Sequence, residues 1–252
     1  MFKTFYAALV FYTVLPINWG KKSLDFKGIA VYAPLVGICI GIFLNVLDFL
    51  LRVTLGERGL IHALLLVLAW LWITGGLHLD GVMDTADGLA VTEPNRRLAV
   101  MADSHTGAFG VMAAIAVILL KFACLFSLGL DRLWILGFTP ALGRWAQLYA
   151  INYHPYLKPE GKGKFHKEGV TTWQVWLTPI FLVLMALGLS FLARTGLSIT
   201  YLLASLLVAI LVANWFNWRL GGQTGDSYGA IVEWTEAIAL ILSVLLTQFN
   251  FG

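Results

Sequence analysis

Apolar runs long enough to cross a lipid bilayer recur along almost the whole chain, and they narrow the fold more than any motif does. They lie at about 29–50, 60–77, 108–127, 133–150, 173–192, 199–213 and 230–248, against roughly 20 residues needed to cross about 30 Å of hydrocarbon. Hydrocarbon offers no partner to backbone N–H and C=O groups, so such segments close their hydrogen bonds internally as helices. With 12% charged residues, the chain is far from the roughly 25% of a soluble domain. The expected fold is all-α: a polytopic integral membrane bundle of about seven transmembrane helices, with residues 1–252 as one domain. The 199–213 run is short and the 230–248 run begins with Glu233 and Glu236, so either could be tilted, broken or partly at the interface.

The stretch from Phe2 to Pro16 is apolar, with Lys3 as nearly its only charge, and no small-residue cleavage site follows before Lys21 and Lys22. This disfavours a signal peptide and predicts an interfacial or re-entrant helix ending near Pro16. Cys39 and Cys124 both lie inside apolar runs and read as small core hydrophobes. The longest polar connections, 78–107 and 151–172, are where chemistry is expected.

With the N-terminus in the cytoplasm, seven spans return the segments around 78–107, 151–172 and 214–229 to that same side. Their basic residues agree: Lys3, Lys21, Lys22, Lys27, Arg96, Arg97, Lys158, Lys162, Lys164, Lys167 and Arg219 fall there, against Arg52, Arg58, Arg132 and Arg194 opposite. This is the positive-inside bias. Most of the acids gather on the cytoplasmic side too, which points to a charged ligand with metal ions as counterweight. A formal net charge of +3 is too small to imply nucleic-acid binding.

The first polar constellation is HLDGVMDTADG, from His78 to Gly88. On a helix, Asp80, Asp84 and Asp87 follow the i, i+4, i+7 pattern and share one face, so their carboxylates can converge on one or two divalent ions. Without a cation, like charges this close would repel and hold protons. Oxygen-only ligands suit a hard ion such as Mg²⁺, which stays bound through carboxylates, waters and substrate phosphates. The plainer reading is a charged helix cap facing water.

The second, DSHTGAFG from Asp103 to Gly110, opens the span near Ala108. Asp103 could supply a fourth metal-binding carboxylate, and Ser104 and His105 could bind phosphate oxygens or orient a hydroxyl. An anion at this helix N-terminus would also meet unpaired N–H groups. Alternatively Asp103 or Ser104 is a simple N-cap. Arg96 lies between the two constellations and is either a phosphate ligand or a positive-inside anchor.

The third, GGQTGDSYGAIVEWTE, runs from Gly221 to Glu236. Thr224 and Asp226 offer oxygen groups before an apolar span. Glu233 and Glu236, near the mouth of that helix, would line a polar cavity, ligate an ion or remain in water. Arg219 adds a donor nearby, and Arg144, inside an apolar run, would snorkel or reach a substrate phosphate. The basic GKGKFHK loop from Gly161 to Lys167 lacks the spacing of a nucleotide P-loop and reads as a membrane-surface or substrate-steering segment.

Carboxylate-bound Mg²⁺ at a membrane surface suits phosphoryl or nucleotidyl transfer. In order and residues, the three constellations resemble the signatures of the cobalamin 5'-phosphate synthases, also called adenosylcobinamide-GDP ribazoletransferases, and the resemblance covers nearly the whole chain. It implies a bacterial or archaeal inner-membrane enzyme with a cytoplasm-facing site. The enzyme would join adenosylcobinamide-GDP to α-ribazole or its 5'-phosphate with Mg²⁺ and release GMP. Carried over, Asp80, Asp84, Asp87 and Asp103 are the metal and catalytic residues. His78, Arg96, Ser104, His105, Arg144, Arg219, Thr224, Asp226, Glu233 and Glu236 are substrate-binding candidates, with membrane lipid as the surroundings and a homo-oligomer left open. The first motif is also similar to the acidic motif of CDP-alcohol phosphotransferases, but the Ala-Arg element of that motif is absent here, where the chain reads DGVMDT from Asp80. A cation transporter would instead place its acids near the bilayer midplane on broken helices.

Overall fold

The computed structural model describes residues 2–16, 24–56, 59–128, 132–158, 169–193 and 196–249; the basic loop at 161–167 lies outside them. Among the described residues regular structure is helical, apart from one isolated bridge between Tyr156 and Gln223. The helices are α1 (Phe2–Tyr12), α2 (Ala33–Leu55, entered through a 3-10 turn at Ile29–Tyr32), α3 (Leu60–Ile73), α4 (Leu77–Ala90), α5 (Pro94–Val100), α6 (Ala108–Ser127), α7 (Arg132–Tyr153), α8 (Thr172–Ala193), α9 (Leu197–Leu220) and α10 (Gly225–Phe249).

Five segments are long and apolar enough to cross a membrane: Ile29–Leu55, Ala108–Ser127, Thr172–Leu192, Ser198–Leu220 and Gly225–Gln248. A sixth is reached only if α3 and α4 count as one broken span. Two of the seven expected runs fall outside these five segments, for two physical reasons. The run at 60–77 stops as a 14-residue helix, roughly 21 Å at 1.5 Å per residue, short of the hydrocarbon thickness. The run at 133–150 does form a 22-residue helix, α7, but it carries Thr139, Pro140, Arg144 and Gln147 and is buried among α2, α8, α9 and α10. A helix enclosed by protein does not need the hydropathy that lipid contact demands. Its closest neighbour is α2, where Gly37 and Gly41, one turn apart, let the helix backbones meet at Pro140 and Gly137. Conversely, the two doubtful runs become unbroken helices of 24 and 25 residues, α9 and α10.

The break between α3 and α4 positions the site. Thr74 turns its hydroxyl back onto the carbonyls of Trp70 (3.2 Å) and Leu71 (3.1 Å). Gly75 and Gly76 then take φ of 61° and 68°, a left-handed pair that side-chain-bearing residues rarely adopt. The chain turns by 88° and α4 departs at a right angle, carrying the acids with it.

Helix α1, with 11 residues, is too short to span, as the sequence predicted, but it ends at Tyr12. Residues 13–16 follow without regular structure, tied to the end of α3 by Val14 N–H donating to the Ile73 carbonyl at 2.9 Å. Tyr12 is buried and its ring stacks on His78 at 6.1 Å. Both cysteines are free thiols, Cys124 buried and Cys39 half-buried.

Candidate active site

Helices α4 and α10 cross where Gly81 meets Gly229. A Cβ on Gly81 would collide with the Asp226 carbonyl, and one on Gly229 would lie 3.0 Å from the His78 carbonyl. This contact brings the first and third constellations, more than 130 positions apart in the chain, to one place. Between them is a cavity of about 220 Å³, lined by Leu77, His78, Asp80 and Gly81 of α4 and by Gly225, Asp226, Tyr228 and Gly229 of α10. Phe11 and Tyr12 of α1 and Gln147 of α7 complete it.

Two local devices hold Asp226 in place. Thr224 and Ser227 form a reciprocal cap at the start of α10: Ser227 N–H donates to Thr224 Oγ1 at 3.1 Å, and Thr224 N–H donates to Ser227 Oγ at 2.8 Å. Thr224 thus caps the helix, and its hydroxyl also donates to Asp226 Oδ2 at 3.4 Å. The segment after α7 is pinned beside this cap by Leu157 N–H donating to the Gln223 carbonyl and Gln223 N–H donating to the Pro155 carbonyl, both at 2.8 Å. That pairing delivers Lys158, whose Nζ lies 3.0 Å from Asp226 Oδ2. Asp84, one turn beyond Asp80, feels the charges of Asp80, Asp226, Lys158 and Asp87.

Asp87 shares the face of Asp80 and Asp84, yet α6 occupies both its oxygens. Gly107 N–H donates to Oδ2 at 2.7 Å and Gly110 N–H to Oδ1 at 2.8 Å. The anion at the α6 N-terminus is therefore a carboxylate from α4, and neither Asp103 nor Ser104 caps this helix. Asp103 instead accepts hydrogen bonds from His105 N–H (3.0 Å) and pairs with His105 Nδ1 (2.7 Å) in an exposed loop. The imidazole holds the Asp103 carboxyl below its ordinary range, and the carboxylate raises His105 in turn. Ser104 is exposed beside them.

The remaining candidates lie apart from the cavity. Arg144, Glu233 and Glu236 join Lys121 in a network that is at most 2% exposed. Lys121 Nζ lies 2.7 Å from Glu233 and 2.5 Å from Glu236, and Arg144 Nη1 lies 3.0 Å from Glu236. Lys121 also sits over the Trp70 ring, 4.4 Å from its centroid. Arg96 makes an exposed pair with Glu93 at 3.4 Å. Arg219 is exposed beside Trp215 and Trp218, and Arg97 donates to its carbonyl at 2.8 Å. Sequence reasoning passed over Lys121 and Lys158. A lysine amid VILLKFACL was the available signal for the first, since a charge inside a span demands partners. Nothing local marked the second.

Among the described residues no group of three or more His, Cys, Asp or Glu side chains is gathered tightly enough to hold a metal ion. The donor chemistry nevertheless fits one: Asp80, Asp84 and Asp226 are hard oxygen ligands of like charge, and a lysine ammonium already sits against Asp226. A larger apolar cleft of about 770 Å³ between α4, α9 and α10 carries no charged side chain among its described lining residues, whereas Asp80 and Asp226 line the smaller cavity.

The motifs that build this cavity fall within a known family pattern: the family model described as "CobS: Cobalamin-5-phosphate synthase" matches residues 4–244. The chain belongs to this family. Similar members include the adenosylcobinamide-GDP ribazoletransferase of Trichormus variabilis, 46% identical over 244 residues, covering 96% of both chains. That of Synechococcus elongatus is 49% identical over 237 residues, covering 92% of each. A more distant one, from Prochlorococcus marinus, is 35% identical over 249 residues, covering 95% of this chain and 94% of its own. No solved structure matches the chain. For a cobalamin-5-phosphate synthase, the helix crossing at Gly81 and Gly229 accounts for how motifs at opposite ends of the sequence serve one cavity.

Proposed function

We propose that this member of the cobalamin-5-phosphate synthase family is an adenosylcobinamide-GDP ribazoletransferase. The observation that carries the reading is near-full-length identity of 46–49% to relatives bearing that name. A ribose hydroxyl of α-ribazole, or of its 5'-phosphate, attacks the cobinamide-proximal phosphorus of the diphosphate. A new P–O bond forms, the bond from that phosphorus to the bridging oxygen breaks, and GMP leaves with that oxygen. The hydroxyl proton is released to water at the open side of the cavity.

In this reading Asp80, Asp84 and Asp226 hold Mg²⁺, which when bound neutralises diphosphate oxygens and stabilises the leaving phosphate. Asp87 acts by fixing α4 against α6, so that Asp80 and Asp84 keep their place. Lys158 balances the carboxylates and offers its ammonium to a substrate phosphate. Asp103, Ser104, His105, Arg96 and Arg219 belong to exposed surface that the large donor substrate can reach. The chain sits as a single unit in a bacterial inner membrane with the cavity facing the cytoplasm, which the excess of lysine and arginine in the segments flanking the cavity supports.

The test is GMP release from adenosylcobinamide-GDP by the purified protein in detergent or liposomes, with and without α-ribazole and Mg²⁺. Release that requires both is expected. Absence of GMP release, alongside release of CMP from a CDP-alcohol, would overturn the reading in favour of a phospholipid-type transferase.

A further inference from the structure

The reaction as proposed uses the carboxylates at the mouth of the 220 Å³ cavity and leaves its floor without a task. Two side chains there stand out. Gln147, on α7, is 4% exposed and Tyr228, on α10, is 1% exposed, and both line the cavity. Gln147 Oε1 and the Tyr228 hydroxyl have no hydrogen-bond partner among the described residues. Buried polar atoms are nearly always paired, because leaving one unmade costs more free energy than a made bond gains. Two such atoms on one small cavity wall mark a place where a ligand completes the hydrogen bonding. The Tyr228 ring is also held ready, stacking on Tyr156 at 6.2 Å.

Charge, shape and size narrow the ligand. Among the described residues that line the cavity there is no lysine or arginine, so its floor offers no cation of its own to a phosphate or diphosphate. The walls include the rings of Phe11, Tyr12, His78 and Tyr228, flat surfaces that suit an aromatic base. The volume falls below the roughly 300–1,000 Å³ of pockets for drug-sized ligands, which excludes a corrinoid ring and admits a small nucleoside.

We infer that this cavity is the seat of the acceptor ribonucleoside, with Gln147 Oε1 and the Tyr228 hydroxyl binding its polar groups while its attacking hydroxyl faces Asp80 and Asp226. The assignment rests on the ribazoletransferase reading and adds two substrate-binding residues to it. It also gives the first helix a function, since Phe11 and Tyr12 form part of the nucleoside wall.

The experiment combines calorimetric titration of α-ribazole into the detergent-solubilised full chain with steady-state GMP release. Wild-type protein binds α-ribazole without the donor. Gln147→Leu and Tyr228→Phe each weaken that binding about tenfold, the consequence of one lost hydrogen bond. They raise KM for α-ribazole by a similar factor and leave KM for adenosylcobinamide-GDP within about twofold. Tyr228→Phe removes a single oxygen and keeps the ring, so an unchanged elution profile and melting temperature certify its fold. A rise in KM for the donor with none for α-ribazole would put the donor's guanosine in the cavity and overturn the inference, as would unchanged values for both substrates. If the wild type binds α-ribazole with Gln147 and Tyr228 contributing, yet releases no GMP, the reaction reading fails and the nucleoside seat stands. If GMP is released but neither substitution affects α-ribazole, the seat fails and the reaction reading stands.

Discussion

The ammonium of Lys158 lies 3.0 Å from Asp226 Oδ2, so a residue from the segment after α7 neutralises the acid that opens α10. A cation in the carboxylate cluster must compete with this lysine. Lys158→Gln is therefore expected to lower the Mg²⁺ concentration giving half-maximal GMP release, and Asp226→Asn to raise it about tenfold or more. A Mg²⁺ titration of each variant reads both. Identical half-saturation in wild type and Asp226→Asn would remove Asp226 from the metal set.

Asp84, one turn beyond Asp80 on α4, lies in the electrostatic field of Asp80 and Asp226. Asp84→Asn keeps the shape of the side chain while deleting the charge. Turnover is expected to fall about a hundredfold or more, as loss of transition-state charge stabilisation does. The protein should remain monodisperse in detergent; full activity in this variant would eliminate the assigned role.

Asp87 makes a different prediction from its neighbours because its oxygens accept hydrogen bonds from Gly107 and Gly110. Asp87→Ala leaves two N–H groups of the α6 N-terminus without their carboxylate, a loss of about 1–3 kcal/mol in stability. The melting temperature should drop for Asp87→Ala and stay near wild type for Asp84→Asn. Equal melting temperatures for the two would mean that the Asp87 contacts contribute nothing to folding.

Lys121 pairs with both Glu233 and Glu236 inside the bundle. Lys121→Met leaves the buried Glu233 without its ammonium and Glu236 with Arg144 alone, and is expected to destabilise the protein by about 3–5 kcal/mol. Adding Glu233→Gln to Lys121→Met should recover part of that loss, because one stranded charge is removed with its partner. Detergent-resistant yield and thermal melting measure both effects, and a double variant no more stable than the single would argue against direct pairing.

Much of this site was legible before folding was considered. The i, i+4, i+7 spacing of Asp80, Asp84 and Asp87 does place them on one helix, α4, and the part of the third motif from Gly225 to Gly229 lines a cavity with His78 and Asp80. What spacing could not reveal was the partner of each acid. Asp87 faces backbone N–H groups twenty or more positions away, and Glu236 faces Lys121 and Arg144 from two other helices. Hydropathy likewise could not tell what surrounds each run, because an apolar run looks the same whether lipid or protein encloses it. Helix α7 shows the second case: enclosed on its sides, it carries Arg144 and Gln147 in the interior.

By itself the sequence determined the helical membrane class, the three polar constellations and the resemblance to a family, since hydropathy, helical spacing and motif order are local or linear properties. Only the tertiary structure decided which of the acids meet. The left-handed pair Gly75 and Gly76 turns α4 by 88°, and the glycine crossing with α10 then sets Asp80 and Asp84 near Asp226 while α6 claims Asp87. Carboxylates identical in chemistry come to line a cavity, anchor a helix or form a buried ion pair according to what long-range packing places opposite them.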